Sequence, residues 1–383
     1  VNEMGLPTIE VIFKQLARSA IKRSERGVAA IIIRDDTLRS DAITKKVYRS
    51  SMDLISKDYT AENMRIIERC FLVAVNKVIV ISLPTEGDFK DALKVLAKCK
   101  YNYVCTTDPG EQQPLASYVV DYNETKKGKM KHTVAVVFDA TTADSKYVIN
   151  AKNPTVTEIQ TDAKGIKSNV VVPMNEYLPR LCALLANLPM NRSCTSYVLE
   201  DLADVADIET DEVSTDEWID KGYFVLIVDD DEVKIAKGVN SLTTFTSTDT
   251  EDMSHIIIVE SMNLVIEDIA TTFKQKYQGK YKNYLSNQKL FIDSVNAYFK
   301  ELAKEEIMDP DYTGNDIAGT KGNQAFIDVE AQRNAWLSVG KSEAVDWTEE
   351  KVRSMAFKTT IFLAATVKIL DAIEDLKFVI TME

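Results

Sequence analysis

Four short runs of continuous aliphatic and β-branched residues constrain this chain most: Val28–Arg34, Lys77–Leu83, Tyr101–Thr106 and Thr133–Phe138. Each has the length of a strand but lacks the alternation of a half-exposed one. Segments of helical period, Ala61–Val75, Asp88–Cys99 and Glu176–Leu188, fall between and after them. Unbroken β-branched runs that alternate with helices fit a mainly parallel sheet covered on both faces. The expectation is an α/β core. At 383 residues the chain has room for two or three domains.

Further along, the pattern loosens. Asn123–Lys131 reads as a polar, Lys-rich connection and Thr210–Asp220 as an acidic linker. Tyr223–Val228 and Glu232–Val239 flank Asp229-Asp230-Asp231 and predict a hairpin with an acidic turn. His255–Glu260 reads as a strand, and Met262–Lys276 and Ser286–Lys304 as helices. Asp309–Asn323 is a Gly/Asp loop, followed by a strand over Ala325–Val329 and a helix over Glu330–Val339. Thr348 is placed to cap a helix over Glu349–Met355. Thr359–Ile369 fits a strand and a buried helix almost equally.

Composition excludes several classes. A net charge of -13 argues against a protein that binds nucleic acid through a general basic field. Cys70, Cys99, Cys105, Cys182 and Cys194 form no CxxC pair and have no neighbouring His, so free buried thiols are expected. Lys14, Arg18, Lys22 and Arg23 interrupt any apolar run in the opening segment, so no secretory leader is expected. The apolar tract Thr359–Leu370 is too short to span a bilayer. A cytoplasmic product without membrane insertion is the reading.

No constellation for catalysis stands out. His132 and His255 each adjoin an apolar run and read as structural or surface residues. No GxSxG is present. Val339-Gly340-Lys341-Ser342 imitates the end of a P-loop, but Ala335 stands where the first glycine is needed. Asp309, Asp311, Thr313 and Gly314 imitate a calcium loop whose twelfth position is Thr320, which cannot supply the bidentate carboxylate. No catalytic, cofactor or metal residues are expected, and no enzyme. The alternative is an α/β cofactor-binding enzyme of unknown reaction.

Two apolar strands at the extremities need a sheet to join. Thr8–Gln15 alternates, with Ile9, Val11, Ile12 and Phe13 as its apolar residues. Leu376–Glu383 does the same through Leu376, Phe378, Val379, Ile380 and Met382. Segments so placed fray unless tied down by this chain or a neighbouring one.

Three strings in order resemble contractile tail sheath proteins of phages and phage-tail-like bacteriocins. The first is Gly5-Leu6-Pro7-Thr8-Ile9-Glu10-Val11-Ile12-Phe13-Lys14-Gln15-Leu16 with the basic Arg23-Ser24-Glu25-Arg26-Gly27 after it. The second, Ile235-Ala236-Lys237-Gly238-Val239-Asn240-Ser241-Leu242-Thr243, is similar to the family signature, with Lys237 where Arg is usual. The third is Ile369-Leu370-Asp371-Ala372-Ile373-Glu374-Asp375, with Ile373 where Met is frequent. Val329-Glu330-Ala331-Gln332-Arg333 is a weaker fourth match.

The resemblance implies a subtilisin-like α/β core at 28–247, an N-terminal strand arm at 1–27, and an α+β C-terminal domain at 248–383 ending in an arm at 376–383. It also implies that Thr359–Ile369 is a strand. The implied function is structural: a sheath subunit that polymerises helically around a tail tube and contracts to drive the tube through an envelope. The N- and C-terminal strands would be exchanged between subunits. Implied partners are further copies in stacked six-fold rings, the tube protein, and baseplate and terminator components. The implied location is the bacterial cytoplasm during assembly, then the tail of a particle. Lys274, Lys276, Lys280, Lys282 and Lys289 form a basic segment in an acidic chain. They read as a solvated helix face or as a contact for an acidic tube surface.

Overall fold

A computed structural model describes residues 26–161, 164–314 and 322–379. The N-terminal arm residues Ile9, Val11, Ile12 and Phe13, and the C-terminal Ile380 and Met382, lie outside the described residues. The described chain divides into two compact units. One comprises residues 26–263 with 371–379, the other Leu264–Leu370.

The larger unit is built on strands β1 (Val28–Arg34), β2 (Thr44–Tyr48), β3 (Lys77–Leu83), β4 (Tyr103–Thr106), β5 (Val134–Phe138), β6 (Val148–Ala151) and β10 (Tyr223–Phe224). They form one sheet in the order β10-β6-β5-β4-β1-β3-β2. All neighbours run parallel except β2, which closes the edge antiparallel to β3. The four apolar runs are the centre of this sheet. Along β1, Ala29, Ile31 and Ile33 enter one apolar cluster, while Val28, Ala30 and Ile32 enter another on the opposite face. Helices α1 (Ala61–Arg69) and α4 (Met174–Asn187) supply Ile67, Leu178 and Leu181 to the first cluster. Helices α2 (Phe89–Leu96) and α3 (Gln112–Glu124) supply Ala92, Leu96, Leu115 and Val119 to the second. Continuous apolarity was therefore required, because neither face meets water.

At the carboxyl ends of β1, β3 and β4 a guanidinium fills the crevice. Arg34 donates to Asp108 (2.7 Å) and Glu111 (2.5 Å), and to the carbonyls of Pro84 (3.3 Å), Thr85 (2.6 Å) and Gly87 (3.1 Å). Burial raises the Glu111 carboxyl above its ordinary value, although Thr106 and Arg34 pull it down. Strand order reverses direction between β1 and β4, the place where open α/β sheets usually receive ligands. Here protein occupies it.

A second sheet, β8-β7-β9, is antiparallel: β7 (Thr155–Thr161) pairs with β8 (Lys167–Pro173) and β9 (Leu202–Val205). Its Glu158 is buried and pairs with Arg69 of α1. Close by, Arg65 meets Glu176 (3.1 Å), Arg180 meets Asp201 (3.2 Å), and Tyr177 donates to Asp201 (2.8 Å).

Several expectations need correction. The predicted strand His255–Glu260 is helical, since α6 runs over Ile256–Thr272. Ile256, Ile258, Val259 and Leu264 are buried on several sides of that helix, and a short apolar run does not reveal its period. The hairpin is shorter than expected, with β11 (Leu226–Asp229) against β12 (Glu232–Ile235). Its turn residues Asp230 and Asp231 have φ of +50° and +63°, the left-handed pair that a two-residue turn needs. Tyr223 and Phe224 pair with β6 instead. The acidic stretch Thr210–Asp220 contains α5 (Thr215–Asp220), whose Ser214 and Glu217 form a capping box.

The smaller unit packs α7 (Leu285–Lys304) against the two-stranded sheet β13 (Gln324–Ile327)–β14 (Leu363–Thr366), with α8 (Val329–Ser338) and α9 (Glu349–Ser354) following. Thr348 caps α9 by accepting from Lys351 N–H, as its sequence predicts. The strand reading of Thr359–Ile369 is realised in β14, and Ile369 adds a bridge to Met308. Gly340 (φ +85°) ends α8: its N–H bonds Leu337, and Lys341 N–H bonds Trp336. The P-loop-like string is thus a Schellman helix stop. In the fourth family-like string, buried Gln332 donates to the carbonyls of Val352 and Met355.

Glu158→Gln should cost about 3 kcal/mol or more, because it strands a buried guanidinium. Equilibrium unfolding in urea measures it; a loss below about 0.5 kcal/mol would show that Arg69 finds water instead.

Candidate subunit-linking site

The signature string is a seam. After β12, Gly238 passes so close to the 193–195 loop that an added Cβ would lie 2.9 Å from Cys194 Sγ and 3.1 Å from Ser193 Oγ. Gly238 N–H donates to Thr195 Oγ1 (2.8 Å), and its carbonyl accepts from Ile256 N–H (2.9 Å) at the start of α6. Val239 is buried and bridges His255. Asn240, also buried, donates to Met253 O (2.8 Å) and accepts from Leu242 N–H (3.0 Å). Ser241 N–H bonds Val148 O of β6 (2.8 Å), and Leu242 is buried beyond it. The string therefore ties the sheet edge to the beginning of α6.

Lys237, the first signature residue, points to the C-terminal segment. Its Nζ lies 3.8 Å from Glu374 Oε2. Glu374 Oε1 also accepts from Thr195 Oγ1 (2.5 Å) and Ser193 Oγ (3.4 Å). One turn of chain earlier, Asp371 pairs with His255 Nδ1. Burial pushes the adjacent Cys194 thiol up to about 12, so it is an inert apolar neighbour and not a nucleophile.

Around these anchors the segment is bare. Ile373 is 97% exposed, Leu376 88%, Phe378 75% and Val379 77%. Residues 371–379 form no strand within this chain. Leu376, Phe378 and Val379 thus stand in water beyond an anchored root.

The five candidate lysines do not share one helix face. Lys274 and Lys276 sit in a π-helical turn over Phe273–Tyr277, Lys280 and Lys282 in the loop after it, and Lys289 on α7. Lys274, Lys280, Lys282 and Lys289 are exposed, and Lys280 donates to Gln275 O. The histidines are structural. His132 Nδ1 bonds Asn263 (3.1 Å) beside Tyr147, and burial holds its pKa below the ordinary value. Asp309, from the calcium-like string, pairs with Lys368 (2.9 Å). Among the described residues no group of three or more His, Cys, Asp or Glu could hold a metal ion. No described helix is long and apolar enough to cross a membrane.

Sequence reasoning missed Ser193 and Thr195. They lie in a loop without a motif, and Thr195 is 179 positions from the carboxylate it binds. It also treated the second and third family-like strings as separate, whereas Lys237 and Glu374 face each other.

Such a body, with apolar residues projecting beyond it, fits an assembling protein, and comparison gives the class: contractile tail sheath proteins. Residues 248–383 match the phage tail sheath C-terminal domain family. The chain is 28% identical over 395 residues to the tail sheath protein of Clostridium phage phiCD119, covering 99% of both. Two solved structures share the fold. The helical sheath of the anti-feeding prophage in its contracted state matches with a TM-score of 0.66 at 12% identity, over 100% of this chain and 98% of that one. A sheath tail protein from Listeria innocua matches with a TM-score of 0.62 at 12% identity, over 96% and 100%. The chain is thus similar, in sequence and in fold, to structural subunits of contractile tail sheaths.

Gly238→Ala should destabilise the larger unit by about 1–3 kcal/mol, because the 193–195 loop has to move. Thermal unfolding checks this, and an unchanged midpoint would mean the loop yields freely.

Proposed function

We propose that this subunit polymerises by donating strands. The N-terminal strand, with Ile9, Val11, Ile12 and Phe13, joins one neighbour. The C-terminal strand, with Leu376, Phe378, Val379, Ile380 and Met382, joins another. The observation that carries this reading is the bare apolar run Leu376–Val379. Burying each such side chain yields roughly 1.5–3 kcal/mol.

The β13–β14 sheet offers a receiving edge. Asn296 of α7 bonds both the N–H (2.7 Å) and the carbonyl (3.4 Å) of Ala325 on the outer side of β13. Ala365, opposite Ala325, therefore also turns its peptide groups away from the pair. No described residue bonds them, so β14 can accept a strand. Copies linked in this way, head to tail without closing, build a helix. Stacked six-fold rings follow the family resemblance.

The polymer surrounds a tail tube, engages baseplate and terminator components, and contracts by rigid-body movement of subunits. Its division is an arm at 1–27, a subtilisin-like core at 28–247 and a C-terminal domain at 248–383. Assembly takes place in the cytoplasm, and the final location is the tail of a particle. The subunit carries no enzyme activity; the Arg34 guanidinium at the switch point, bonded to Asp108 and to the Thr85 carbonyl, supports this. Lys274, Lys276, Lys280, Lys282 and Lys289 face an acidic tube surface.

Two experiments test the reading. Deleting 376–383 should leave a folded monomer that forms no rods by negative-stain microscopy; normal sheaths would refute strand donation. Reversing Lys280, Lys282 and Lys289 to Glu should weaken docking to tubes, and the loss should vary with salt concentration. Docking that is unchanged at low salt would remove the lysines from the interface.

A further inference from the structure

We infer that Ser193, Thr195 and Lys237 form a clamp on Glu374, and that this clamp, with the His255–Asp371 pair, fixes the root of the C-terminal arm so that the arm leaves the body in a set direction. The inference rests on the strand-donation reading and assigns positioning residues to it.

The geometry sets Glu374 apart from its surroundings. Its side chain is 15% exposed, whereas Ile373 beside it and Leu376 two residues on stand almost fully in water. A coil segment that packed only by apolar contact would show the reverse. The carboxylate is met by two hydroxyls and an ammonium, all of which suit an anion. Thr195 Oγ1 is itself oriented, because it accepts from Gly238 N–H (2.8 Å) and must then turn its own hydrogen to Glu374 (2.5 Å). Ser193 Oγ accepts from Thr195 N–H (3.1 Å) and donates to Thr195 Oγ1 (3.0 Å), so its 3.4 Å approach to Glu374 is the looser contact. The donor cup is therefore held in place by the backbone N–H groups of Gly238, in the signature string, and Thr195, in its facing loop. Asp371 adds a second fixed point at His255.

Two points define a direction, whereas one leaves a swivel. With both in place, only the chain after Glu374 remains to be ordered when a neighbour captures the strand. Preorganisation of this kind acts on association more than on the fold of the donor. The pairs are partly solvated, and such pairs contribute little to monomer stability. This contrast gives the test its discriminating power.

The full chain carrying Glu374→Gln, and separately Lys237→Met, should unfold at the wild-type midpoint by thermal scanning. Trypsin should cut after Lys377 faster in both. The critical concentration for rod formation, read by sedimentation, should rise about tenfold or more. The exchange Lys237→Glu with Glu374→Lys should recover part of that loss, because it restores opposite charges across the cup. Rods forming at the wild-type concentration from both single variants would overturn the clamp. So would a large drop in monomer midpoint, since Glu374 would then be holding the body together and not aiming the arm. Deletion of 376–383 run alongside separates the two ideas. If the deletion blocks rods while the clamp variants do not, the clamp alone falls; if the deletion also makes rods, strand donation falls.

Discussion

Enclosure of the central strands on both faces is the constraint on which the larger unit depends. From Val28 to Ile33 β1 has no solvent side, so each of these residues must fill one of two apolar clusters, and helices must cover both. That requirement fixes the alternation of strand and helix in sequence and the placement of α1 and α4 opposite α2 and α3. It also delivers the chain to the seam at Lys237–Leu242, where loop, sheet edge and α6 are joined by hydrogen bonds of backbone and side chains.

Legibility followed solvent exposure. β1 and β3 were bounded from sequence alone because full burial leaves an unbroken apolar run. The strands β6 to β9 were not seen, for local reasons. Buried Glu158 interrupts the inward face of β7, and its partner Arg69 is on another element. In β6, Asn150 is buried because its amide bonds both peptide groups of Ala140, a contact no periodicity announces. β8 is polar over its first half and exposed over most of its length. Helix α6 was half lost for the opposite reason: apolar residues on many sides erase the period that identifies a helix.

The candidate site was legible in its parts and not in their union. The strings around Lys237 and Glu374 were picked out by family resemblance, and the arm by its alternation. Which side chain meets which depended on the 193–195 loop, whose Ser and Thr look like any polar turn. Hydroxyl-to-carboxylate contacts between distant loops leave no spacing rule behind them. The decoy strings failed for reasons that are also local. Gly340 stops a helix, and Asp309 is occupied by Lys368.

Arg34 deserves a mechanical reading. From the end of β1, one guanidinium fastens the turns that follow β3 and β4, through three carbonyls and two carboxylates. A cross-brace at that height resists shear among these three strands, because β1 cannot slide past β3 or β4 without breaking bonds of the guanidinium. A shift of the turn after β3 is therefore shared with β1 and β4 through the same side chain.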